Sequence, residues 1–253
     1  MNSKIQRGFS TAAKRYDLRS DLHREIADKF LVQAAEGRKP SSILDVGCGT
    51  GYLAVKFKES FPQSRVIGLD FAPGMIEVAR LKRHDIEWIL ADNHQMPFAD
   101  DHFDLVISNL AYQWAGDLGQ ALREARRVLM PDGVLACTLF GFNTCHELFQ
   151  CLDEAKAGAL QFSRLPSKTQ VREALVHSGF KDFQIDLEQL KVEFRDMYEL
   201  MSWLKSIGAN NLSREGFLGP EVLSRAAAIY QDKFSFGQGV GADFEVIKIY
   251  VKK

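Results

Sequence analysis

A short apolar run leads into three glycines, at positions 47, 49 and 51. Glycine adopts positive φ angles easily and carries no Cβ, so a loop of this kind lets a ligand pack against the backbone. Asp45 precedes the first glycine, and Asp70 ends a second apolar run. A carboxylate in that position can accept hydrogen bonds from both hydroxyls of a ribose. These residue types and spacings indicate a site for a nucleotide or nucleoside, which the surrounding elements must hold in shape.

The spacing of the glycines separates two kinds of ligand. A dinucleotide-binding loop has the pattern Gly-x-Gly-x-x-Gly, and its third glycine lets the helix pack closely on the strand. Tyr52 occupies that third position in this chain, which argues against a dinucleotide. Asp70 suits a ribose with either ligand, and its alternative role is to cap the helix that Pro73 would open.

After Pro40 the chain alternates between short apolar runs and amphipathic stretches, which predicts βαβ units and a mostly parallel sheet. The predicted strands cover residues 42–46, 65–70, 86–90, 103–108, 134–140, 183–193 and 244–251. The predicted helices among them cover residues 52–60, 73–82, 117–129, 143–160, 167–178, 195–207 and 220–233. The fold class is therefore α/β, with a Rossmann-like sheet of seven strands.

Two helical segments are not needed by this sheet. Apolar residues at helical spacing run through residues 8–36, and a second helical region covers 195–233. Ligands of open α/β sheets bind at the carboxyl ends of the strands, so we expect both segments to cover that edge as a cap. The expected organisation is a single domain (1–253) with an N-terminal cap (1–38), a core (39–193 and 240–253) and a helical cap insertion (194–239).

The composition is that of an ordinary globular protein, with 253 residues, 46% apolar residues and a formal net charge of −1. Such a length accommodates one large domain or two modest ones. The near-zero charge argues against a general electrostatic grip on nucleic acid, which needs a basic excess. No apolar run approaches the ~20 residues of a membrane-spanning helix, and the first residues lack the apolar core of a signal peptide. We therefore expect a cytoplasmic protein with no membrane partner.

The cysteines do not predict a metal site. They stand at positions 48, 137, 145 and 151 and lack the close Cys-Cys spacing of zinc ligands. We interpret them as buried thiols and expect no metal.

Four motifs occur in order between residues 41 and 140. They are Leu44-Asp45-Val46-Gly47-Cys48-Gly49-Thr50-Gly51, Gly68-Leu69-Asp70 followed by Met75, Ala91-Asp92, and Met130-Pro131-Asp132-Gly133. In combination they resemble the class I S-adenosylmethionine-dependent methyltransferases. The resemblance implies that Gly47, Gly49 and Gly51 pass the methionine part of that cofactor and that Asp70 holds its ribose.

The same resemblance implies roles for four further residues. Asp92 would face the adenine amino group, and Met75 would belong to the cofactor site. Asn109 stands where cofactor and substrate meet in the family. Asp45 would orient the turn or receive the ammonium group of the cofactor, and its alternative is a buried acid that binds local N–H groups.

Longer matches extend over almost the whole chain. They are residues 9–17, 108–114 and 117–129, Gly141-Phe142-Asn143-Thr144 with Glu147-Leu148, and residues 204–209. These segments resemble the malonyl-acyl-carrier-protein O-methyltransferases of biotin synthesis. The resemblance implies methylation of the free carboxylate of a malonyl thioester, carried by an acyl carrier protein. The chain departs from the family at Pro131-Asp132-Gly133, where Pro-Gly-Gly is usual.

This second resemblance assigns the substrate side. Tyr16 would close over the methyl donor, where an aromatic face favours the sulfonium cation. Gln113 and Trp114 would line the acceptor pocket, and Lys205 would mark its mouth or contact the carrier protein. An arginine should hold the malonyl carboxylate, and the sequence does not rank the candidates. These are Arg123, Arg15, Arg126 and Arg127.

A carboxylate needs no general base to attack a methyl group, whereas a hydroxyl, an amine or a carbon acid generally does. No His-Asp pair or paired-acid motif stands out in the sequence, which is compatible with carboxyl methylation. Tyr16 and Asn109 would therefore act by positioning. One alternative is a methyltransferase for another small molecule, such as a free dicarboxylic acid or a quinone precursor, because only the cap would distinguish it. A second alternative is a cofactor-binding protein without catalysis.

The charges are unevenly distributed along the chain. Residues 1–40 contain nine Lys and Arg against five Asp and Glu. Because acyl carrier proteins are typically acidic, this basic segment is a place where one could dock. A solvated amphipathic face is the alternative interpretation.

Overall fold

The computed structural model describes residues 3–156, 165–208 and 218–253. The helices are α1 (Ser3–Tyr16), α2 (Asp21–Ala35), α3 (Tyr52–Ser60), α4 (Pro73–Lys82), α5 (Leu118–Val128), α6 (His146–Ala155), α7 (Lys168–His177), α8 (Met197–Ser206) and α9 (Pro220–Lys233). The strands are β1 (Ser42–Val46), β2 (Arg65–Asp70), β3 (Glu87–Leu90), β4 (Phe103–Asn109), β5 (Leu129–Phe140), β6 (Phe183–Phe194), β7 (Ser235–Phe236) and β8 (Gly239–Lys252). Residues 157–160 of a predicted helix and 209–217 of the predicted cap insertion lie outside the described residues. Within the described ranges, no helix has both the length and the hydropathy that crossing a bilayer requires.

Hydrogen-bonded strands follow the order β3-β2-β1-β4-β5-β8-β6. The strands β1 to β5 pair in parallel, and β8 runs antiparallel to both β5 and β6. The predicted α/β class and the Rossmann-like sheet of seven strands are confirmed. The two-residue strand β7 pairs with β8 beside this path, and it is too short to leave a periodic pattern in the sequence.

Strand β5 begins earlier than predicted, at Leu129 rather than at residue 134. The register of β4 and β5 shifts between Phe103 and Leu105, and Asp132 has a φ of +65°. The residues at 131–133 therefore form an irregularity within the strand pair, of the kind a β-bulge introduces. Their turn-forming side chains concealed the first part of the strand.

Strand β8 also begins earlier than predicted, at Gly239 rather than at residue 244. Its antiparallel ladder with β6 extends from the pair Phe183 and Val251 to the pair Phe194 and Val240. The early part of β8 contains two glycines, which carry no apolar side chain, so alternation in the sequence could not reveal it.

Helices cover both faces of the sheet, as its parallel part requires. Leu122 of α5 and Leu175 of α7 are fully buried on one face. On the other face, Phe57 of α3 is fully buried in a cluster that also includes residues of α2 and α4. Burying one such side chain contributes about 1.5–3 kcal/mol. These layers hold the strand ends in fixed positions.

Helix α2 belongs partly to this core. Its Ala27, Phe30 and Ala34 are buried in the cluster beneath α3. The segment expected to be an N-terminal cap therefore also anchors itself on the face of the sheet, which fixes the rotation of α2 about its own axis.

A separate apolar cluster joins α6, α8 and α9 to the ends of β5 and β8. Leu200 of α8, Tyr230 of α9 and Phe244 of β8 are fully buried there. Ile26 of α2 reaches the same cluster. The helices after β6 thus pack on the sheet next to the N-terminal segment.

Helix α1 lies against the first turn of α4. The side chain of Gln6 donates a hydrogen bond to the backbone oxygen of Phe71 at 2.8 Å. Gly74 approaches α1 so closely that a Cβ at this position would overlap the backbone oxygen of Ser10. Glycine is needed at position 74 for this close approach.

We expect Gly74→Ala to destabilise the protein and to loosen α1. Alanine inside a helix normally stabilises it relative to glycine by roughly 1 kcal/mol, so a lower melting temperature would report the clash with Ser10. Thermal melting and the rate of proteolysis within residues 3–16 measure the two effects. Gly116→Ala is the matched control, because a Cβ there meets no atom within 4 Å. A Gly74→Ala protein that melts at or above the wild-type temperature would contradict this packing.

Candidate functional site

Strands β1, β2 and β4 are neighbours in the parallel part of the sheet, so their carboxyl ends meet at one edge. The loops that follow line an open cavity of about 670 Å³, a volume that includes solvent at its mouth. A second cavity of about 460 Å³ adjoins it. Both cavities are lined by Tyr16, Gly47, Gly49 and Asn109. The first is also lined by Asp70, Met75 and Trp114, and the second by Asp45.

Asp70 joins two loops through its carboxylate. Its Oδ2 accepts a hydrogen bond from the N–H of Gly49 at 2.9 Å, and its Oδ1 accepts one from the N–H of Ala72 at 2.8 Å. Ala72 is the N-cap of α4, so Asp70 is not. Burial raises the pKa of Asp70 to about 6, although backbone hydrogen bonds oppose that shift. At pH 7 the group is therefore mostly ionised and keeps acceptor capacity beside the first cavity.

The glycine loop contributes two of its three glycines to the cavity walls. Gly47 and Gly49 have φ angles of +72° and +56° and line both cavities. Gly51 has a φ of +86°, caps α3 and lines neither cavity. A Cβ at Gly51 would collide with the ring of Trp88. The φ values of all three residues favour glycine. At position 51 the structure indicates a second reason for glycine, which is the close packing of the loop on Trp88.

Asp45 is almost completely buried, with 1% of its surface exposed. Its Oδ2 atom has no hydrogen-bond partner among the described residues. Burial raises the pKa of Asp45 to about 8, a backbone hydrogen bond from Ala54 opposes the shift, and the nearby Asp70 adds to it. One oxygen of this buried acid has no partner, and ionising the acid without a nearby positive charge is costly, so this position favours a cationic group of a ligand.

Asn109 ends β4 with both ends of its side-chain amide engaged. Its Oδ1 accepts a hydrogen bond from the hydroxyl of Thr138 at 2.8 Å, and its Nδ2 donates to the backbone oxygen of His23 at 3.1 Å. The side chain therefore ties β4 to β5 and to α2. These bonds hold Asn109 at the boundary between the two cavities.

Asp17 ties the N-terminal segment to the glycine loop. Its carboxylate accepts a hydrogen bond from Thr50 at 2.6 Å and pairs with Lys82 at 2.5 Å and with Arg24 at 3.4 Å. Burial opposes ionisation of Asp17, but the hydrogen bonds from Lys82 and Thr50 hold its pKa below the usual value. The preceding Tyr16 is thereby placed in the walls of both cavities. Burial and two nearby carboxylates raise the pKa of Tyr16, so its phenol stays protonated.

Comparison with known proteins identifies the family. A family model described as a methyltransferase domain matches residues 44–137. A malonyl-acyl-carrier-protein O-methyltransferase of Hahella chejuensis is 39% identical over 96% of this chain and 88% of that protein. One of Halorhodospira halophila is 35% identical over 96% of this chain and 85% of that protein. The chain belongs to the malonyl-acyl-carrier-protein O-methyltransferase family.

The fold of this methyltransferase also resembles solved structures. Phosphoethanolamine N-methyltransferase 2 of Haemonchus contortus, solved in complex with S-adenosyl-L-methionine, superimposes with a TM-score of 0.61 at 18% identity. The match covers 96% of this chain and 57% of that chain, so the present protein corresponds to a little more than half of that enzyme. At this identity the likeness supports the fold alone.

Asp92, expected at the adenine end, lies beside the cavity wall rather than in it. The wall there is formed by Ala91, Asn93 and His94. Oδ1 of Asp92 accepts a hydrogen bond from the backbone N–H of His94 at 2.9 Å and lies 2.7 Å from Nδ1 of the same residue. Asp92 therefore contributes to this end of the site by holding His94.

The two residues expected in the acceptor pocket of the family differ in their placement. Trp114 lines the first cavity and packs against Phe9 with the ring centroids 5.5 Å apart. Gln113 lines neither cavity and donates a hydrogen bond to the backbone oxygen of Leu110 at 2.8 Å. Its Oε1 is buried without a partner in the described part of the chain. Their roles toward the substrate stay predictions.

The basic candidates lie outside both cavities. Arg123 on α5 and Lys205 on α8 are exposed, and neither lines a cavity wall. Arg127 is held by ion pairs with Glu124 and Asp100, both at 2.8 Å. Of the four candidate arginines, Arg127 is therefore already engaged in ion pairs. The structure does not select among the other three as the group that binds the malonyl carboxylate.

The polar face of α2 and its N-terminal flank escaped the sequence-based prediction. Ser20, His23, Arg24 and Ala27 line the second cavity. Their spacing of three, one and three residues places them on one helix face. Arg24 pairs with Asp17, and its Nε is buried without a partner among the described residues. The missed signal was this second pattern, which runs beside the apolar positions that predicted the helix and shares Ala27 with the buried face.

One group of described side chains has the composition of a metal site. Ligand atoms of His146, Glu147 and Asp243 lie within 4.8 Å of one another. Nδ1 of His146 lies 3.1 Å from the backbone oxygen of Asn143, and Lys191 pairs with Asp243 at 3.5 Å. His146 and Glu147 also begin α6, where the helix dipole disfavours a cation. Oε1 of Glu147 accepts a hydrogen bond from the N–H of Asp243 at 3.0 Å, whereas Oε2 of Glu147 is buried without a hydrogen-bond partner among the described residues. We assign no metal to this group, because a cation would lie at the N-terminus of a helix and beside Lys191.

We expect Asp45→Asn to flatten the dependence of stability on pH in the ligand-free protein. The pKa of Asp45 is about 8 in the folded state, against about 3.9 in an unfolded chain. Between these values the folded state holds a proton that the unfolded chain has lost. The free energy of unfolding therefore falls as the pH rises from about 4 to about 8. Asparagine holds no such proton, so melting temperatures across this range should fall less steeply in the variant.

Asp132→Asn is the matched control for this measurement. Asp132 is exposed and pairs with Lys252 at the surface, so its replacement should leave the wild-type pH slope unchanged. Equal slopes for Asp45→Asn and the wild type would contradict a buried, protonated Asp45.

Proposed function

We propose that this methyltransferase transfers the methyl group of S-adenosylmethionine to the free carboxylate of malonyl-acyl carrier protein, as a step of biotin synthesis. The observation that carries the proposal is the 39% identity to a malonyl-acyl-carrier-protein O-methyltransferase over 96% of the chain. The cytoplasmic location expected from the sequence accompanies the proposal as a prediction.

The side chains around the two cavities fit S-adenosylmethionine. Asp70 has acceptor capacity for the ribose hydroxyls. A Cβ at Gly49 would meet no atom within 4 Å, so its absence leaves space for the methionine part, whereas the missing Cβ of Gly47 makes room for Ala111 behind the loop. The buried, unpartnered Oδ2 of Asp45 suits the ammonium group, and Tyr16 offers an aromatic face to the sulfonium. The donor would therefore extend through both cavities.

The reaction needs alignment rather than proton transfer. When bound, S-adenosylmethionine supplies a methyl group on a positively charged sulfur. The carboxylate oxygen forms the new bond with its own electron pair, so no general base is required. Asn109, fixed by its hydrogen bonds to β5 and α2, positions the end of β4. Phe9, Tyr16 and Trp114 line the first cavity and exclude water from the reacting atoms.

Mass spectrometry of malonyl-acyl carrier protein, incubated with the enzyme and S-adenosylmethionine, tests the function. We expect the malonyl group to gain the mass of one methyl in place of a proton. Asp70→Asn should lose most of this activity because the ribose loses a charged acceptor, whereas Asp132→Asn should keep it. Turnover of a free dicarboxylic acid or a quinone precursor without turnover of the carrier protein would favour the alternative substrate class. Absence of any methyl transfer would overturn the proposal.

The N-terminal segment is our proposed docking site for the carrier protein. Lys14, Arg15 and Arg19 are exposed next to Tyr16, and an acidic partner would be steered toward them. Reversing these three charges to Glu should slow methylation of malonyl-acyl carrier protein more than that of malonyl-coenzyme A. The control reverses Lys181 and Lys252, which are exposed outside the cap. Equal slowing with both substrates would remove this docking site.

A further inference from the structure

The side chain of His23 is not among the groups assigned to S-adenosylmethionine above. It lies in the wall of the second cavity. Its ring is surrounded by the rings of Tyr16, Phe140 and Trp203, with centroids 5.8, 5.7 and 5.8 Å away. These rings belong to α1, β5 and α8. The imidazole therefore stands where the N-terminal segment, the sheet and the second cap segment meet.

The imidazole of His23 is not hydrogen-bonded at Nδ1. This atom is buried and has no partner among the described residues. Burial lowers the pKa of His23 to about 4, so the ring is neutral near pH 7 and carries one N–H donor and one acceptor nitrogen. Buried polar atoms without a partner are uncommon in folded proteins, and a ligand that supplies one explains their retention.

Two observations place this ring toward the methyl acceptor. Phe140 and Trp203, which contact the ring, line neither of the cavities that fit the donor. The backbone oxygen of His23 is bound by Asn109 at 3.1 Å, at the end of β4 where donor and acceptor would meet. His23 therefore lies between the donor cavities and the apolar cluster that includes Phe140.

We propose that the neutral imidazole of His23 donates a hydrogen bond to the malonyl carboxylate and holds it for attack on the methyl group. The inference rests on the proposed function and names a residue for its acceptor side. A neutral donor offsets part of the cost of burying a carboxylate. It does so without pairing the carboxylate with a full positive charge, so the oxygen keeps its nucleophilicity.

The proton of the imidazole takes no part in the reaction. The carboxylate oxygen forms the new C–O bond with its own electron pair, and the C–S bond breaks with its electron pair going to sulfur. The ester that results carries no charge, so its hydrogen bond to the imidazole is of the weaker, neutral kind. Binding of the substrate should therefore depend on His23 more strongly than binding of the product does.

Calorimetric titration with S-adenosylhomocysteine present, which prevents methyl transfer, tests this difference. His23→Leu should weaken binding of malonyl-acyl carrier protein by about tenfold or more, and binding of its methyl ester by less than about threefold. His23→Gln keeps an N–H donor and should recover most of the affinity. His84→Gln is the matched control, because His84 is exposed and lines neither cavity.

The affinity of each variant for S-adenosylhomocysteine reports whether the donor site is intact. Should His23→Leu not fold, His23→Phe replaces it, because a second ring suits the aromatic surroundings. Equal weakening of the malonyl and ester forms, or unchanged binding of the malonyl form, would overturn the role of His23. Failure of the wild-type enzyme to form any methyl ester is a different outcome, which overturns the proposed function itself.

Discussion

The carboxylate of Asp70 is the interaction on which the site depends. Parallel pairing of β1 and β2 brings the glycine loop next to the loop before α4, and Asp70 joins them through the N–H groups of Gly49 and Ala72. Asp17, at the end of α1, makes a second connection between the same two parts of the chain, because it binds Thr50 of the glycine loop and Lys82 of α4. The N-terminal segment is thus held by the same two elements that Asp70 connects. The position of this segment over the site therefore depends on the hydrogen bonds that shape the glycine loop.

Several polar atoms around the second cavity have no hydrogen-bond partner among the described residues. They are Oδ2 of Asp45, Nε of Arg24 and Nδ1 of His23. Packing of α2 and β1 keeps these atoms in place, although each raises the free energy of the folded protein. Ligands that bring a cationic group to Asp45 and acceptor oxygens to Arg24 and His23 would satisfy these atoms and recover that free energy. The polar atoms that would contact a ligand are thus already held in position by the packing of the protein.

Much of the sheet follows from local sequence. Continuous apolar runs predict buried strands, and a residue that ends such a strand must lie at the binding edge. For this reason the sequence alone places Asp70 and Asn109 at that edge. The starts of β5 and β8 were predicted wrongly, because an irregular pairing near Asp132 and the glycines of β8 interrupt the periodic pattern.

The sequence by itself therefore determined the succession of the seven longer strands and their helices along the chain, the glycine loop and the residues at the strand ends. Only the tertiary structure decided which residues of the N-terminal segment reach the site. His23 meets Asn109 from 86 residues away, and that meeting depends on the rotation of α2 about its axis. Burial of Ala27, Phe30 and Ala34 against the sheet sets this rotation. Helical periodicity shows which face of α2 is apolar, but what its polar face meets is decided by the packing of distant segments.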